Sequence, residues 1–223
     1  MYVSPPFRLF LIRFLSLLGI LGFSLFFYSI SMDVQSSEAG GGKQSKTDVY
    51  SVWAIPAEEV TARVKKVMLG LRSEFGGPEF EPHVTVVGAI RLTEEEARER
   101  LKKSCEGLKG YNVTVEKVAT GSFFYQCVFL LLRPTNEVMK AGAHCWDHFG
   151  FKSPTPYMPH LSILYGDLTN EQKQRAQEKA NALDESVKSL SFPITRFALY
   201  KTDTEDKTLK SWEKVTEITL QPN

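Results

Sequence analysis

The sequence predicts an α+β fold built from two similar halves. Strand-like and helix-like segments alternate in the order strand, helix, strand, helix, strand, and this order then repeats. A motif of the form proline-histidine-apolar-hydroxyl-apolar opens the middle strand of each half, over residues 82–86 and 159–163. Two such halves, related by a pseudo-two-fold axis, would bring the two motifs face to face across a cleft.

Composition and charge are those of an ordinary globular protein. The chain has 223 residues, 43% of them hydrophobic and 24% charged, which suits one or two domains. Its 27 basic and 26 acidic residues leave a net charge of +1, so the chain has no strong positive field for long nucleic acid. Three cysteines without a CxxC pair argue against a disulfide framework and against a zinc finger.

The first 31 residues differ in composition from the rest. Residues 14–30 are apolar and uncharged, at the short end for a membrane span, and basic residues precede them. This pattern favours a signal peptide or membrane anchor. Translation from Met32, or a gene prediction extended too far upstream, would instead give a cytoplasmic protein. We predict a hydrophobic leader over 1–31, a flexible linker over 32–47 and a folded domain over 48–223, with membrane contact only if the leader is retained.

The first half begins with alternating residues over 48–54, which predict a strand. A helix follows Pro56, with apolar residues at helical spacing, and a Gly-Gly-Pro sequence at 76–78 ends it. The first histidine strand comes next. Thr93 and Glu96 have the spacing of a capping box and begin the second helix.

The second half follows a valine-rich strand at 112–120. Residues 123–132 are almost continuously apolar and predict a long strand covered on both faces. A helix begins after Pro134 and ends at Gly150, and the second histidine strand follows a proline-rich loop. Thr169 then caps the fourth helix. The last strands are predicted over Ser191–Lys201 and over residues 212–220.

Each motif combines an imidazole and a hydroxyl on one face of a strand. Side chains at i and i+2 point the same way, so His83 shares a face with Thr85, and His160 with Ser162. The apolar residues between them point into the core. A lone histidine in a strand is usually structural, but the repetition of proline, histidine and hydroxyl favours a functional site.

These motifs resemble those of the plant cyclic phosphodiesterases in the two-histidine (2H) phosphoesterase superfamily. The stretches at 49–54, 80–86, 155–162 and 201–209 are also similar, and the resemblance extends from Asp48 to the end of the chain. It implies a bilobal fold with two antiparallel-sheet lobes, outer helices and a central cleft.

The implied activity is hydrolysis of cyclic phosphodiesters without metal or other cofactor. The substrates that the resemblance implies are ADP-ribose 1″,2″-cyclic phosphate, opened to ADP-ribose 1″-phosphate, and nucleoside 2′,3′-cyclic phosphates, opened to 2′-phosphates. The implied setting is disposal of a by-product of tRNA splicing.

Two imidazoles suit this chemistry, because a water must lose a proton while the leaving oxygen gains one. The resemblance places the catalytic roles on His83 and His160, with His160 as base and His83 as acid; the residues alone leave the reverse assignment open. The hydroxyls of Thr85 and Ser162 are expected to donate hydrogen bonds to phosphate oxygens.

Two aromatic residues complete the expected site. The resemblance assigns Tyr165 to seating the phosphate or base, although strict alternation from Ser162 points its side chain to the opposite face, so a bend is expected there. Trp53 could stack on a nucleobase, wall the cleft or belong to the core.

Metal binding is not expected. His144 and His148 have i, i+4 spacing, but neither an HExxH glutamate nor a third ligand is evident, so we expect exposed helix residues.

The similar plant enzymes also carry cysteines where this chain has Phe151 and Tyr200, so disulfides of those relatives would lack a partner here.

Two other functions stay open from the sequence. One is RNA-end processing by a phosphodiesterase of the same superfamily, and the other is nucleotide binding without turnover. The expected partner of the protein is a small-molecule cyclic nucleotide substrate, without long nucleic acid, and a monomer is expected.

Overall fold

The computed structural model describes residues 46–223, which contain seven strands and four α-helices. The strands are β1 (Thr47–Pro56), β2 (Val84–Thr93), β3 (Tyr111–Thr120), β4 (Val128–Leu132), β5 (His160–Leu164), β6 (Ser191–Lys201) and β7 (Glu213–Thr219). The helices are α1 (Glu58–Phe75), α2 (Glu94–Cys105), α3 (Asn136–Phe149) and α4 (Asn170–Leu183). The predicted alternation of strands and helices therefore occurs in both halves.

The predicted leader over 1–31 and most of the predicted linker over 32–47 lie outside the described residues. Within residues 46–223, no helix combines the length and the apolar character that crossing a bilayer requires.

The strands form one antiparallel sheet in the order β1-β2-β5-β4-β3-β6-β7. The long strand β6 pairs with three strands: residues 191–194 pair with β3, residues 194–201 with β1 and residues 196–201 with β7. One lobe therefore contains β1, β2, β7 and the second part of β6, and the other contains β3, β4, β5 and the first part. The predicted α+β architecture with two antiparallel lobes is confirmed.

The helices are exchanged between the lobes. Helix α1 comes from the first half of the chain but packs on β5 and beside α4, whereas α3 comes from the second half and packs on β2 and beside α2. Each lobe is thus covered on its outer face by a pair of helices, one from each half of the chain.

The two motif strands are neighbours in the sheet. Strands β2 and β5 run antiparallel and pair at Val84 and Leu161, the residues that directly follow the two motif histidines. Both side chains are buried, as the motif pattern predicts. This single pairing places His83 and His160 at the junction of the lobes.

Helix termini follow the sequence signals. Thr93 with Glu96, and Thr169 with Gln172, form the predicted capping boxes. Gly150 ends α3 in the left-handed conformation, at φ 63°, which glycine adopts without steric cost.

The long strand predicted over residues 123–132 is wrong in its first half. Strand β4 begins only at Val128, and Phe124–Gln126 form a 3₁₀ turn. The Gly121 N–H donates to the Cys127 carbonyl at 3.1 Å and closes the loop. An apolar run does not distinguish a strand from an aromatic-lined turn, because hydrophobicity reports burial and not backbone shape.

Candidate active site

Both motif histidines are anchored in the same way. Nδ1 of His83 lies 2.6 Å from the Glu81 carbonyl oxygen, and Nδ1 of His160 lies 2.9 Å from the Met158 carbonyl oxygen. A carbonyl oxygen can only accept, so Nδ1 is the donor in both rings. The Nε2 atom of each neutral imidazole therefore keeps its lone pair and can take up a proton.

Burial lowers the pKa of both imidazoles. His83 is only 3% exposed, and loss of water around its ring lowers its pKa to about 3, against the opposing effect of the Glu81 carbonyl. Charge on the nearby His160 lowers the pKa of His83 further. Burial also lowers the pKa of His160, against the opposing effect of the Met158 carbonyl. Burial therefore favours the neutral form of both rings in the free protein, and it disfavours protonation of His83 more than protonation of the less buried His160.

Trp53 supports His83. The indole stacks on the His83 ring at 3.5 Å between centroids, and on the Tyr200 ring at 3.7 Å. The His83 and Tyr200 rings must cover opposite faces of the indole, because two rings this close to its centroid would overlap if they lay on the same face. Trp53 is 2% exposed, so the structure favours a role in walling the cavity over stacking on a nucleobase.

The two motif hydroxyls differ in their surroundings. Thr85 lies in β2, opposite Trp53 on β1. Ser162 is 4% exposed, and its hydroxyl donates to the Tyr125 carbonyl at 3.1 Å. Ser162 must therefore rotate its hydrogen away from this carbonyl before it can donate to a phosphate oxygen.

Tyr165 reaches the same cavity through a bend of the kind expected after Ser162. Val128 pairs with Leu164 and Phe129 with Ser162, so β5 carries one extra residue, a β-bulge that interrupts the alternation of its side chains. Tyr165 stacks on Phe80 at 3.8 Å between centroids. Burial raises the pKa of its phenol, against a smaller lowering effect of the Ser162 hydroxyl.

All six site residues expected from the sequence line one cavity of about 280 Å³, which we call the histidine cavity. They are Trp53, His83, Thr85, His160, Ser162 and Tyr165. The remaining lining residues are Ser51, Gly88, Ala89, Phe123, Tyr125, Thr202, Thr204 and Trp212. Among the described residues, no lysine, arginine, aspartate or glutamate lines this cavity.

Sequence reasoning missed the aromatic and hydroxyl groups that the turns contribute. Phe123 and Tyr125 belong to the apolar run that predicts a strand, and Trp212 is the first residue of the last predicted strand but lies in the turn before β7. Tyr125 stacks against Trp212 at 5.6 Å between centroids. The density of aromatic residues at 123–125 was a usable signal, but their direction depends on the 3₁₀ turn.

A buried pair of hydroxyls forms another part of the lining. The Ser51 and Thr202 oxygens lie 2.8 Å apart, and their side chains are 6% and 2% exposed. One hydrogen bond uses one of the two O–H hydrogens, whichever residue donates. The other hydrogen is available to an acceptor in the cavity.

The helical histidines lie outside the histidine cavity. His148 is exposed as expected, whereas His144 is partly buried and its Nε2 has no hydrogen-bond partner among the described residues. No three His, Cys, Asp or Glu side chains within residues 46–223 converge as a metal site. Cys105, Cys127 and Cys145 are free and buried.

The chain matches a family model described as the 2'-5' RNA ligase superfamily, over residues 56–206. The fold is also that of solved structures: a phosphoesterase at TM-score 0.54 and 12% identity, and apo LigT of E. coli at 0.52 and 11%. Both alignments cover 79% of this chain and 99% of the other. The chain therefore belongs to the 2'-5' RNA ligase superfamily, in which it has the two-histidine phosphoesterase fold.

Sequence relatives define its position within that superfamily. A cyclic phosphodiesterase of Arabidopsis thaliana is 57% identical over 180 residues, which cover 81% of this chain and 99% of the relative. A cyclic phosphodiesterase of Triticum aestivum is 31% identical over 98 residues, covering 44% of this chain and 94% of the relative. The chain is an enzyme of the cyclic phosphodiesterase branch.

Proposed function

We propose that this enzyme hydrolyses cyclic phosphodiesters without a metal ion. Its substrates would be ADP-ribose 1″,2″-cyclic phosphate, opened to ADP-ribose 1″-phosphate, and nucleoside 2′,3′-cyclic phosphates, opened to nucleoside 2′-phosphates. The observation that carries the proposal is the pair of imidazoles in one cavity, each held through Nδ1 so that Nε2 is available.

The reaction requires one proton to leave and one to arrive. For a nucleoside 2′,3′-cyclic phosphate, a water oxygen adds to phosphorus while one imidazole takes the water proton. The bond from phosphorus to the 3′ oxygen breaks, and the other imidazole protonates that oxygen. Thr85 and Ser162 would hold the non-bridging oxygens through neutral hydrogen bonds.

The direction of proton transfer has two candidate assignments. Resemblance to the family favours His160 as the base and His83 as the acid. The deeper burial of His83 favours the opposite assignment, with His83 as the base and His160 as the acid. In the free protein, burial disfavours protonation of His83 more than protonation of His160. A bound phosphate anion would raise the pKa of both rings, since no other charged side chain of the described residues lines the cavity.

The test is product analysis with the purified full-length protein in EDTA. ADP-ribose cyclic phosphate and the four nucleoside 2′,3′-cyclic phosphates should be hydrolysed, the latter to 2′-phosphates. His83→Ala and His160→Ala should each lose about 10²- to 10⁴-fold in kcat. His148→Ala, at an exposed histidine on α3, is the matched control and should retain full activity. Near-wild-type activity in either cavity variant would refute the mechanism, and loss of activity in EDTA would refute metal independence.

A further inference from the structure

We propose that Phe123 is the surface on which the nucleobase of the substrate stacks. This inference deepens the proposed function, on which it rests, and assigns a residue to substrate specificity. It predicts that the enzyme uses nucleoside 2′,3′-cyclic phosphates much better than ribose 2′,3′-cyclic phosphates that lack a base.

The other aromatic side chains of the histidine cavity already have ring partners. Trp53 is enclosed between His83 and Tyr200, as described above. Tyr165 stacks on Phe80, and Tyr125 stacks against Trp212. Phe123 enters no ring pair with any of the described aromatic residues, so its ring is available to a planar ligand.

Phe123 is also the most exposed ring of the cavity lining. It is 54% exposed, whereas Trp53 and Tyr165 are 2% and 4% exposed. An exposed aliphatic or aromatic side chain needs no explanation by itself. Phe123, however, lines a cavity that contains two histidines, and its apolar ring face is exposed where a substrate would enter. A nucleobase is a planar group that can cover this face.

The backbone around Phe123 is fixed. The Gln126 N–H donates to the Phe123 carbonyl at 3.0 Å, and the Gly166 N–H donates to the Phe124 carbonyl at 3.1 Å. At Gly121, the Cβ of any other residue would clash with the Gln126 carbonyl oxygen, so the loop closes too tightly for a side chain. The ring is thus presented by an ordered turn, which reduces the entropy lost when a base stacks on it.

Phe123 belongs to the same cavity as the proposed phosphate site. The carbonyl of Tyr125 accepts a hydrogen bond from Ser162, a proposed phosphate ligand, at 3.1 Å. Phe123 lies two residues before Tyr125, so the Cα atoms of these two residues are at most about 7 Å apart. Both residues line the histidine cavity together with Ser162, so a base on Phe123 and a phosphate at Ser162 would occupy the same cavity.

The lining of the cavity fits stacking on any base. Its described residues include no lysine, arginine, aspartate or glutamate, and stacking on an aromatic ring discriminates little between bases. We therefore infer that Phe123 favours nucleoside 2′,3′-cyclic phosphates over base-free ribose 2′,3′-cyclic phosphates, and that it accepts purines and pyrimidines.

The experiment compares adenosine 2′,3′-cyclic phosphate with methyl β-ribofuranoside 2′,3′-cyclic phosphate, which lacks the base. The readout is the ratio of kcat/KM for the two substrates, measured on the full-length protein. Phe123→Ala should lower this ratio about 5- to 20-fold relative to wild type. Phe123→Leu, which keeps apolar bulk without a flat face, should also lower the ratio, whereas Phe123→Trp should preserve it.

Leu69→Ala is the matched control, because Leu69 is another large exposed apolar residue, at 59%, and lies on α1 away from the cavity. Its ratio should equal that of wild type. An unchanged ratio in Phe123→Ala would overturn the stacking role while leaving the proposed hydrolysis intact. A ratio retained in Phe123→Leu would overturn stacking in favour of simple apolar cover.

The two hypotheses can also fail separately. If the wild-type protein hydrolyses neither substrate, the proposed function fails. The stacking role of Phe123 is then tested by measuring the affinity for adenosine 2′-phosphate by calorimetry. Weaker binding to Phe123→Ala than to wild type would support stacking, and equal affinity would overturn it.

Discussion

At the residue scale, the prolines of the two motifs explain how the histidines are oriented. Pro82 and Pro159 each lie between a histidine and the residue whose carbonyl accepts its Nδ1 hydrogen. Proline fixes its own φ and keeps the preceding residue extended. The carbonyl before each proline is therefore held in one direction, and the neutral imidazole keeps its lone pair on Nε2.

The assignment of acid and base can be tested with the leaving group. o-Phenylene cyclic phosphate releases a phenolate, which needs less help from an acid than a ribose alkoxide does. In the variant that lacks the acid, the fold loss in rate relative to wild type should therefore be at least about 10-fold smaller on this substrate than on a nucleoside cyclic phosphate. The variant that lacks the base should lose similar activity on both. Rate measurements on His83→Ala and His160→Ala identify the acid, and equal losses on both substrates in both variants would contradict general acid catalysis.

The burial of His83 also predicts how stability depends on pH. Its pKa is about 3 in the folded protein and about 6.5 when unfolded, so the unfolded chain binds the proton more readily. The stabilisation from neutral His83 is present above pH 6.5 and is lost as pH falls towards 3. The free energy of unfolding should decrease by up to about 1.4 kcal/mol per pH unit in this range for this one group.

Urea unfolding between pH 7 and pH 5 tests this expectation. His83→Gln cannot take up a proton in this range, so its free energy of unfolding should fall less steeply than that of wild type, whatever its stability at pH 7. Parallel curves for the two proteins would show that His83 does not carry the effect.

At the element scale, helix α3 supports the first motif strand through one tyrosine. The Tyr157 hydroxyl donates to the Thr85 carbonyl at 3.2 Å. Its ring packs against Gly142 of α3 so closely that a Cβ there would lie 2.7 Å from two ring atoms. The glycine therefore allows the contact between helix, loop and strand that holds Thr85 in place.

Two helical glycines should consequently respond in opposite ways to alanine. Gly142→Ala should destabilise the fold by about 1–3 kcal/mol, because the partly buried Tyr157 ring must move. Gly70→Ala is the matched control on α1: its Cβ would meet only the end of Leu183, which is 46% exposed and can rotate. This variant should be neutral or more stable by up to about 1 kcal/mol. Urea unfolding measures both, and equal effects would contradict the assignment of Tyr157.

At the scale of the whole molecule, the exchange of helices joins the two lobes into one unit. Helix α1 covers β5 and helix α3 covers β2, so neither half of the chain can bury its own sheet alone. Strand β6 adds a second connection, because it pairs with β3 and with β1. The histidine cavity lies where the lobes meet, so its geometry depends on both.

We therefore expect the folded domain to unfold in a single cooperative step. In urea, loss of hydrolysis, loss of far-ultraviolet circular dichroism and exposure of the buried Trp53 should follow the same curve. The fragment 46–120, expressed alone, should show no such transition. Activity lost well before the secondary structure would indicate lobes that separate first, contrary to this expectation.

Several features of this protein follow from its sequence alone, because they depend on residues near each other in the chain. The alternation of strands, the capping residue Thr93 and the imidazole–hydroxyl pairing within each motif are of this kind. Repetition of the motif also predicts that the two histidines lie close together, because two similar halves related by a pseudo-two-fold axis bring their motifs face to face.

Other features depend on how the chain packs in three dimensions. The enclosure of Trp53 between two rings, the bulge that turns Tyr165 into the cavity and the exposure of Phe123 all depend on contacts between distant segments. The exchange of α1 and α3 between the lobes is a further example. Periodicity shows that a side chain is buried, but the partner that buries it is selected by the packing of the whole chain.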